Sequence, residues 1–275
     1  MGTTRRQIEI FRGGSTTYFN SSLFFPKRVR ERVFTLYAFV RTADDFVDSV
    51  PQRGEEFLRF RRVYRNALGG IPAGDGIIDP FLTLAADCGF EPAWTEAFLD
   101  SMEADLTVGA YDSLEETLRY IHGSAEVIGF FMARILDLPG EALPPAAMLG
   151  RAMQYINFIR DVGEDAELGR RYLPLFGADP RIVREDYARA HPGEFEAFLG
   201  RHLDTYREWQ REAVAGYRFI PRRCRAPIAT AGDMYFWTAD RIAERPLIVF
   251  DGKVKPRRSR IFFRALRHLA AGSPA

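Results

Sequence analysis

Two groups of aspartates continue helical apolar stripes, and they restrict what this chain can fold into. The first is Asp44-Asp45-Phe46-Val47-Asp48 and the second is Asp161-Val162-Gly163-Glu164-Asp165. Each holds carboxylates four residues apart, which share one face of a helix. Ahead of the first group, Val29, Val33, Leu36, Tyr37, Val40 and Ala43 recur with the helical period. The same rhythm lands next on Asp44, Val47 and Asp48, so these acids are aimed inward. Unpaired carboxylates in an apolar interior are costly. The chain therefore needs helices arranged around a polar cavity, with metal ions and an anionic ligand to relieve the charge.

The remaining sequence agrees with helices throughout. Prolines and glycines punctuate it, and the periodicity predicts helices near 26–49, 54–68, 80–88, 92–108, 113–137, 143–167, 194–219, 224–244 and 257–271, with a short one in 180–190. No alternating strand run, repeat or low-complexity linker occurs. The expectation is an all-α, single-domain bundle over residues 1–275 around a central cavity, with 1–13 as a flexible N-terminus. The chain has 47% hydrophobic residues, ample for a sizeable core, and a net charge of +1, which gives no argument for nucleic acid. Cys88 and Cys224 have no metal-type spacing and fit a reducing cytoplasm. The N-terminus lacks a signal core, and no apolar run is long enough to span a bilayer. A cytoplasmic protein is expected, with peripheral membrane contact left open.

Inward acids without companion His or Cys suit hard divalent cations. Mg²⁺, with Mn²⁺ as a substitute, takes oxygen ligands and is commonly held by one or two carboxylates plus substrate phosphates. Such ions help a diphosphate leave. Gln154, Asn157, Asp161 and Asp165 stand at i, i+3, i+7 and i+11, a continuous polar stripe beside Met153, Ile156 and Phe158. Tyr120, Ser124, Val127 and Phe131 form another face, whose aromatic rings suit a cation. Small Gly123, Ala125 and Gly129 next to them admit a close neighbour. The four histidines recur in no motif and are read as structural or exposed. A basic run, Lys253, Lys255, Arg257, Arg258, Arg260, Arg264 and Arg267, fits diphosphate contact, anionic lipid or a solvated helix face.

Taken together, these motifs resemble the squalene/phytoene synthase family of head-to-head prenyl transferases. Tyr37-Ala38-Phe39-Val40-Arg41 followed by Asp44, Asp45 and Asp48 is similar to the family's first aspartate motif. Gln154, Asn157, Arg160, Asp161, Val162, Gly163, Glu164 and Asp165, followed by Gly169 to Pro174, is similar to the second, almost residue for residue. Ser15 to Phe19 resembles its phosphate-contacting segment, Tyr120 to Gly129 its central helix, and Ala231 to Tyr235 its C-terminal tyrosine motif. The resemblance spans about 15–265 and implies an isoprenoid synthase fold. By the resemblance, Asp44, Asp48, Asp161 and Asp165 are catalytic metal-binding acids, with Asn157 beside them. Thr16, Thr17, Tyr18, Arg41, Gln154, Asn157 and Arg160 bind substrate, and Tyr120 and Tyr235 face the reacting carbons or the leaving group. The family often carries a basic residue and a serine near Thr16 and Thr17, so this chain has one cation fewer there.

The implied activity joins two prenyl diphosphates through a cyclopropyl diphosphate, foremost two geranylgeranyl diphosphates to phytoene in carotenoid biosynthesis. The alternative uses farnesyl diphosphate and gives squalene, dehydrosqualene or presqualene diphosphate, with NADPH needed only for squalene. A non-catalytic scaffold relative is a remote third reading, because such relatives tend to lose the acids that are all present here. Ser21 and Ser22 would share a helical side with Tyr18 and leave room for a longer prenyl tail. A monomer or weak homo-oligomer is expected.

Overall fold

The computed structural model describes residues 5–14, 19–20 and 22–271. Its helices are α1 Arg5–Gly14, α2 Lys27–Asp48, α3 Gly54–Leu68, α4 Ile78–Cys88, α5 Pro92–Ala104, α6 Leu114–Ile121 and α7 Val127–Ile135. They continue with α8 Leu143–Arg160, α9 Val162–Glu167, α10 Glu185–Ala190, α11 Pro192–Ala215, α12 Arg222–Glu244 and α13 Arg258–Ala271. Among the described residues no strand forms, and one isolated bridge pairs Ala110 with Arg171. The all-α expectation holds.

Local chemistry sets the helix ends. Pro26 precedes α2 at φ −52°, and Ser49 ends it in extended backbone two residues before Pro51. Prolines also occupy the first turns of α5, α8 and α11, where their missing N–H breaks no helical hydrogen bond. Ser113 and Glu116 close a reciprocal cap on α6. Helix α1 overlaps most of segment 1–13, expected to be flexible. Its Phe11 is buried and stacks on Tyr37 at 3.8 Å between ring centroids.

Two apolar clusters hold the bundle. One joins α1–α5 and α7, with Phe39 stacked on Phe81 at 3.8 Å. The other gathers Tyr155, Ile156, Phe195, Tyr206 and Ile242 from α8, α11 and α12. Both contribute to the wall of a cavity of about 770 Å³. Helices α7 and α8 approach closely beside it. A Cβ on Gly129 would collide with the Ala146 carbonyl, and one on Gly150 with that of Ala125, so these glycines permit the contact.

Two departures from regular helix shape the cavity wall. Residues His122–Glu126 form a π-turn between α6 and α7. Regular continuation from Tyr120 and Ser124 would bring Val127 and Phe131 to the cavity, as the sequence pattern suggests. The wide turn rotates the residues after it. Ile128, Gly129 and Met132 line the cavity instead, while Val127 and Phe131 are buried in the first core cluster. The helix expected over 143–167 is likewise two helices, because Asp161 leaves helical geometry at φ −98°, ψ 12°.

Candidate functional site

Three helices give the cavity its polarity. On α2 the wall passes from Val33 and Leu36 to Arg41, Asp44 and Asp48, a rise of about 22 Å from Val33 to Asp48. On α8 it passes from Pro145, Ala146 and Leu149 to Gln154, Asn157 and Arg160, then to Asp161 and Asp165 across the joint. On α12 it passes from Pro227 and Ile228 to Tyr235 and Thr238. Each wall is apolar at its N-terminal end and polar at its C-terminal end. The result is a long pocket with a charged head and a greasy body.

Tyr120 also lines this cavity, so the expected positions on α2, α6, α8, α9 and α12 face one cavity. Thr16, Thr17 and Tyr18 lie outside the described residues, as does Ser21. Ser22 lines the apolar body, and its hydroxyl donates to the Phe19 carbonyl at 2.7 Å.

The acids at the head are crowded. Burial foremost, and then repulsion from Asp48, raises the Asp44 carboxyl to about 7 despite the opposing pull of Arg41. Burial and Asp161 raise Asp165 to about 8, against the pull of Arg170. Arg41 clamps the first group, donating to Asp44 at 2.5 Å and pairing with Asp45 at 2.7 Å. Arg160 forks onto Asp161 at 2.8 and 2.5 Å. Arg170 links the two acidic walls, donating to Asp48 at 2.9 Å and to the Val47 carbonyl at 2.7 Å.

Sequence reasoning missed Asp105, at the C-terminal end of α5. It accepts hydrogen bonds from Tyr120 at 2.6 Å and Tyr172 at 2.7 Å. Burial raises it to about 6, although both tyrosine hydroxyls oppose the shift. Tyr172 stacks on Phe158 at 4.4 Å. A signal was present in the sequence, because Asp105 follows Phe98 and Met102 in helical phase, as Asp44 follows Val40. Arg170 and Tyr172 stood inside the second motif without an assigned role. Of the basic C-terminal run, Lys253 and Lys255 reach the cavity, and Lys253 pairs with Glu164 at 2.7 Å. Burial, then Lys253 and Arg160, push the Lys255 ammonium below its usual range.

The histidines stay away from this wall. His202 is buried against the Tyr155 hydroxyl at 2.6 Å, and burial lowers it to about 4. His268 pairs with Asp233 at 2.7 Å. Among the described residues, no three His, Cys, Asp or Glu side chains converge into a metal cage. The Asn157 Oδ1 atom is buried at the head without a hydrogen-bond partner. A buried oxygen acceptor without a partner, beside these acids, is the kind of donor that a hard divalent cation takes. No helix among the described residues is long and apolar enough to cross a membrane.

The all-α bundle thus encloses one long pocket with a charged head and an apolar body. Residues 11–260 match the family described as squalene/phytoene synthase, and the chain belongs to that family. It is 32% identical to phytoene synthase from Thermus thermophilus over 86% of this chain and 81% of that one. It is 31% identical to 15-cis-phytoene synthase from Enterobacter agglomerans over 81% of this chain and 80% of the relative. A dehydrosqualene synthase crystal structure in complex with ligand superposes with a TM-score of 0.84 at 21% identity, covering 96% and 94% of the two chains. The protein is a prenyltransferase.

Proposed function

We propose that this enzyme joins two geranylgeranyl diphosphates head to head, giving phytoene without a nicotinamide reductant. The observation that carries the reading is the cavity itself, charged at one end and apolar along three helices. Asp44, Asp48, Asp161 and Asp165, with the Asn157 carbonyl oxygen, would hold Mg²⁺, or Mn²⁺ in its place. Bound there, the ions would neutralise diphosphate and make it a better leaving group. Arg41, Arg160, Arg170, Lys253 and Lys255 supply fixed cations beside those acids. Gln154 offers an amide at the same head.

The first diphosphate departs with the C–O bonding electrons and leaves an allylic cation. The second substrate's double bond attacks that cation, and loss of a proton closes a cyclopropane. The second diphosphate then departs, and rearrangement followed by proton loss gives the triene-centred hydrocarbon. Tyr120 and Tyr235 present π faces to developing cations. The Tyr120 hydroxyl is committed to Asp105, which orients the ring. Apolar walls keep water from quenching the cations.

Ser22 supports the longer substrate. A serine on the apolar wall occupies less volume than an aromatic residue would, and the two relatives compared above are phytoene synthases. The test supplies farnesyl and geranylgeranyl diphosphate in equal amounts with Mg²⁺, with and without NADPH, and identifies the hydrocarbon. The expected product is C40 and independent of NADPH, and Ser22→Phe should shift it toward C30. A wild type that makes only C30 product, or a Ser22→Phe variant with unchanged C40 synthesis, overturns the assignment of chain length.

A further inference from the structure

Helix α13 shows its apolar side to solvent. Ile261 and Ala265 are buried against the bundle, and Arg264 and His268 tie the inner margin to Asp233 at 2.8 and 2.7 Å. The opposite side carries Phe262, Phe263, Leu266 and Leu269, which are 53%, 69%, 43% and 39% exposed. At 100° per residue these four fall within an arc of about 120°. Arg258 borders the arc on one margin, and Arg260 and Arg267 border it on the other. The helix contains no acidic residue.

The patch extends onto the segment before α2. The Phe24 ring meets Phe262 at 6.4 Å between centroids, and Leu23 is 46% exposed. Ser22 and Phe25, which flank these two, line the apolar body of the cavity. One short turn therefore separates the exposed apolar surface from the pocket interior.

We propose that the outer face of α13, with Leu23 and Phe24, docks this protein on an anionic lipid bilayer. The chemistry selects lipid. Aromatic and aliphatic side chains insert at the level of the acyl boundary, while flanking arginines reach lipid phosphates. The uniformly positive margins match the negative surface of a bilayer containing anionic headgroups. Docking here sets the cavity wall at Ser22 and Phe25 beside the membrane, a medium that dissolves a C30 or C40 hydrocarbon. That benefit rests on the function proposed above, whereas the docking itself does not.

The experiment is flotation of the full chain, without substrate, on vesicles of phosphatidylcholine alone or of equimolar phosphatidylcholine and phosphatidylglycerol. Wild type should float with the anionic vesicles and largely stay behind with the neutral ones. Arg258→Gln with Arg267→Gln should weaken binding about thirtyfold, roughly fivefold per charge. Phe262→Ser with Phe263→Ser should weaken it about a hundredfold. Turnover of detergent-dispersed substrate and the melting temperature should stay at wild-type values in the arginine pair, which shows that the fold survives. Wild type that remains in the aqueous phase, variants that float as well as wild type, or a concentration-dependent dimer dissociated by Phe263→Ser would each overturn the proposal. Hydrocarbon formation without flotation would refute docking and leave the function standing. Flotation without hydrocarbon would do the reverse.

Discussion

Asp165→Asn should stabilise the protein while removing its activity, and the gain should grow with pH. In the unfolded chain this carboxyl titrates near 3.8, whereas in the fold burial and Asp161 keep it protonated up to about 8. Between those values the native state binds the extra proton, so stability falls as pH rises through the window. A displacement of that size corresponds to about 6 kcal/mol if fully expressed. Asp165 is only half-buried, so solvent screens it, and about 2 kcal/mol is the realistic residue. Asparagine keeps the shape and never ionises. At pH 8, in chelator, the variant should melt roughly 4–6 °C above wild type, whereas at pH 4 the two should coincide. Adding Mg²⁺ at pH 8 should raise the wild-type midpoint and leave the variant nearly unmoved. Turnover should drop about a hundredfold or more, since even outer-sphere changes can cost that much. Differential scanning calorimetry across pH 4–8, paired with product analysis, makes the measurement. A variant no more stable than wild type at pH 8, or a difference that does not grow with pH, would refute the electrostatic reasoning.

Asp44→Asn should follow the same pattern over a window ending near 7; retention of activity within tenfold of wild type by this variant and by Asp161→Asn would dismiss their assignment as metal ligands. Asp105→Asn should slow turnover about tenfold with the helical circular dichroism unchanged, because Tyr120 and Tyr172 donate to different carboxylate oxygens, one of which becomes an amide nitrogen that cannot accept, and misplaced groups are expensive in rate; wild-type kinetics would show that this acid orients nothing. Gly150→Ala drives a Cβ into the Ala125 carbonyl and should cost about 2–3 kcal/mol, seen as a lower urea midpoint; an unchanged midpoint would mean that α8 is free to shift. His202 is held to about 4 by burial, so its contribution to stability is present above pH 6.5 and disappears as pH falls toward 4; an imidazole NMR titration centred above pH 6 would contradict that.

The fold class and most of the charged head could be read along the chain because they depend on local periodicity. Asp44, Asp48 and the stripe from Gln154 to Asp165 betray their inward direction by phase with neighbouring apolar residues. Asp105 carried the same signal, but a single acid beside Glu103 and Ala104 has no motif to draw attention to it. Arg170 was harder still: its partners, Asp48 and the Val47 carbonyl, lie more than a hundred residues away in sequence. Nothing local announces a salt bridge between the two acidic walls.

Helix irregularities mark the other limit. The π-turn at His122–Glu126 keeps the Tyr120 and Gly129 segment helical, yet it changes which residues after it see the cavity. The displacement from Val127 and Phe131 to Ile128 and Met132 arises from packing, with Gly129 seated under Ala146 and Gly150 under Ala125. The basic C-terminus shows the same division of labour. The sequence alone determined that helices would surround inward-facing acids, because side-chain period and the cost of burying charge are properties of short segments. Only the tertiary structure decided that Lys253 and Lys255 join the cavity while Arg258, Arg260 and Arg267 edge an exposed aromatic face, because that choice depends on how α13 lies against α12.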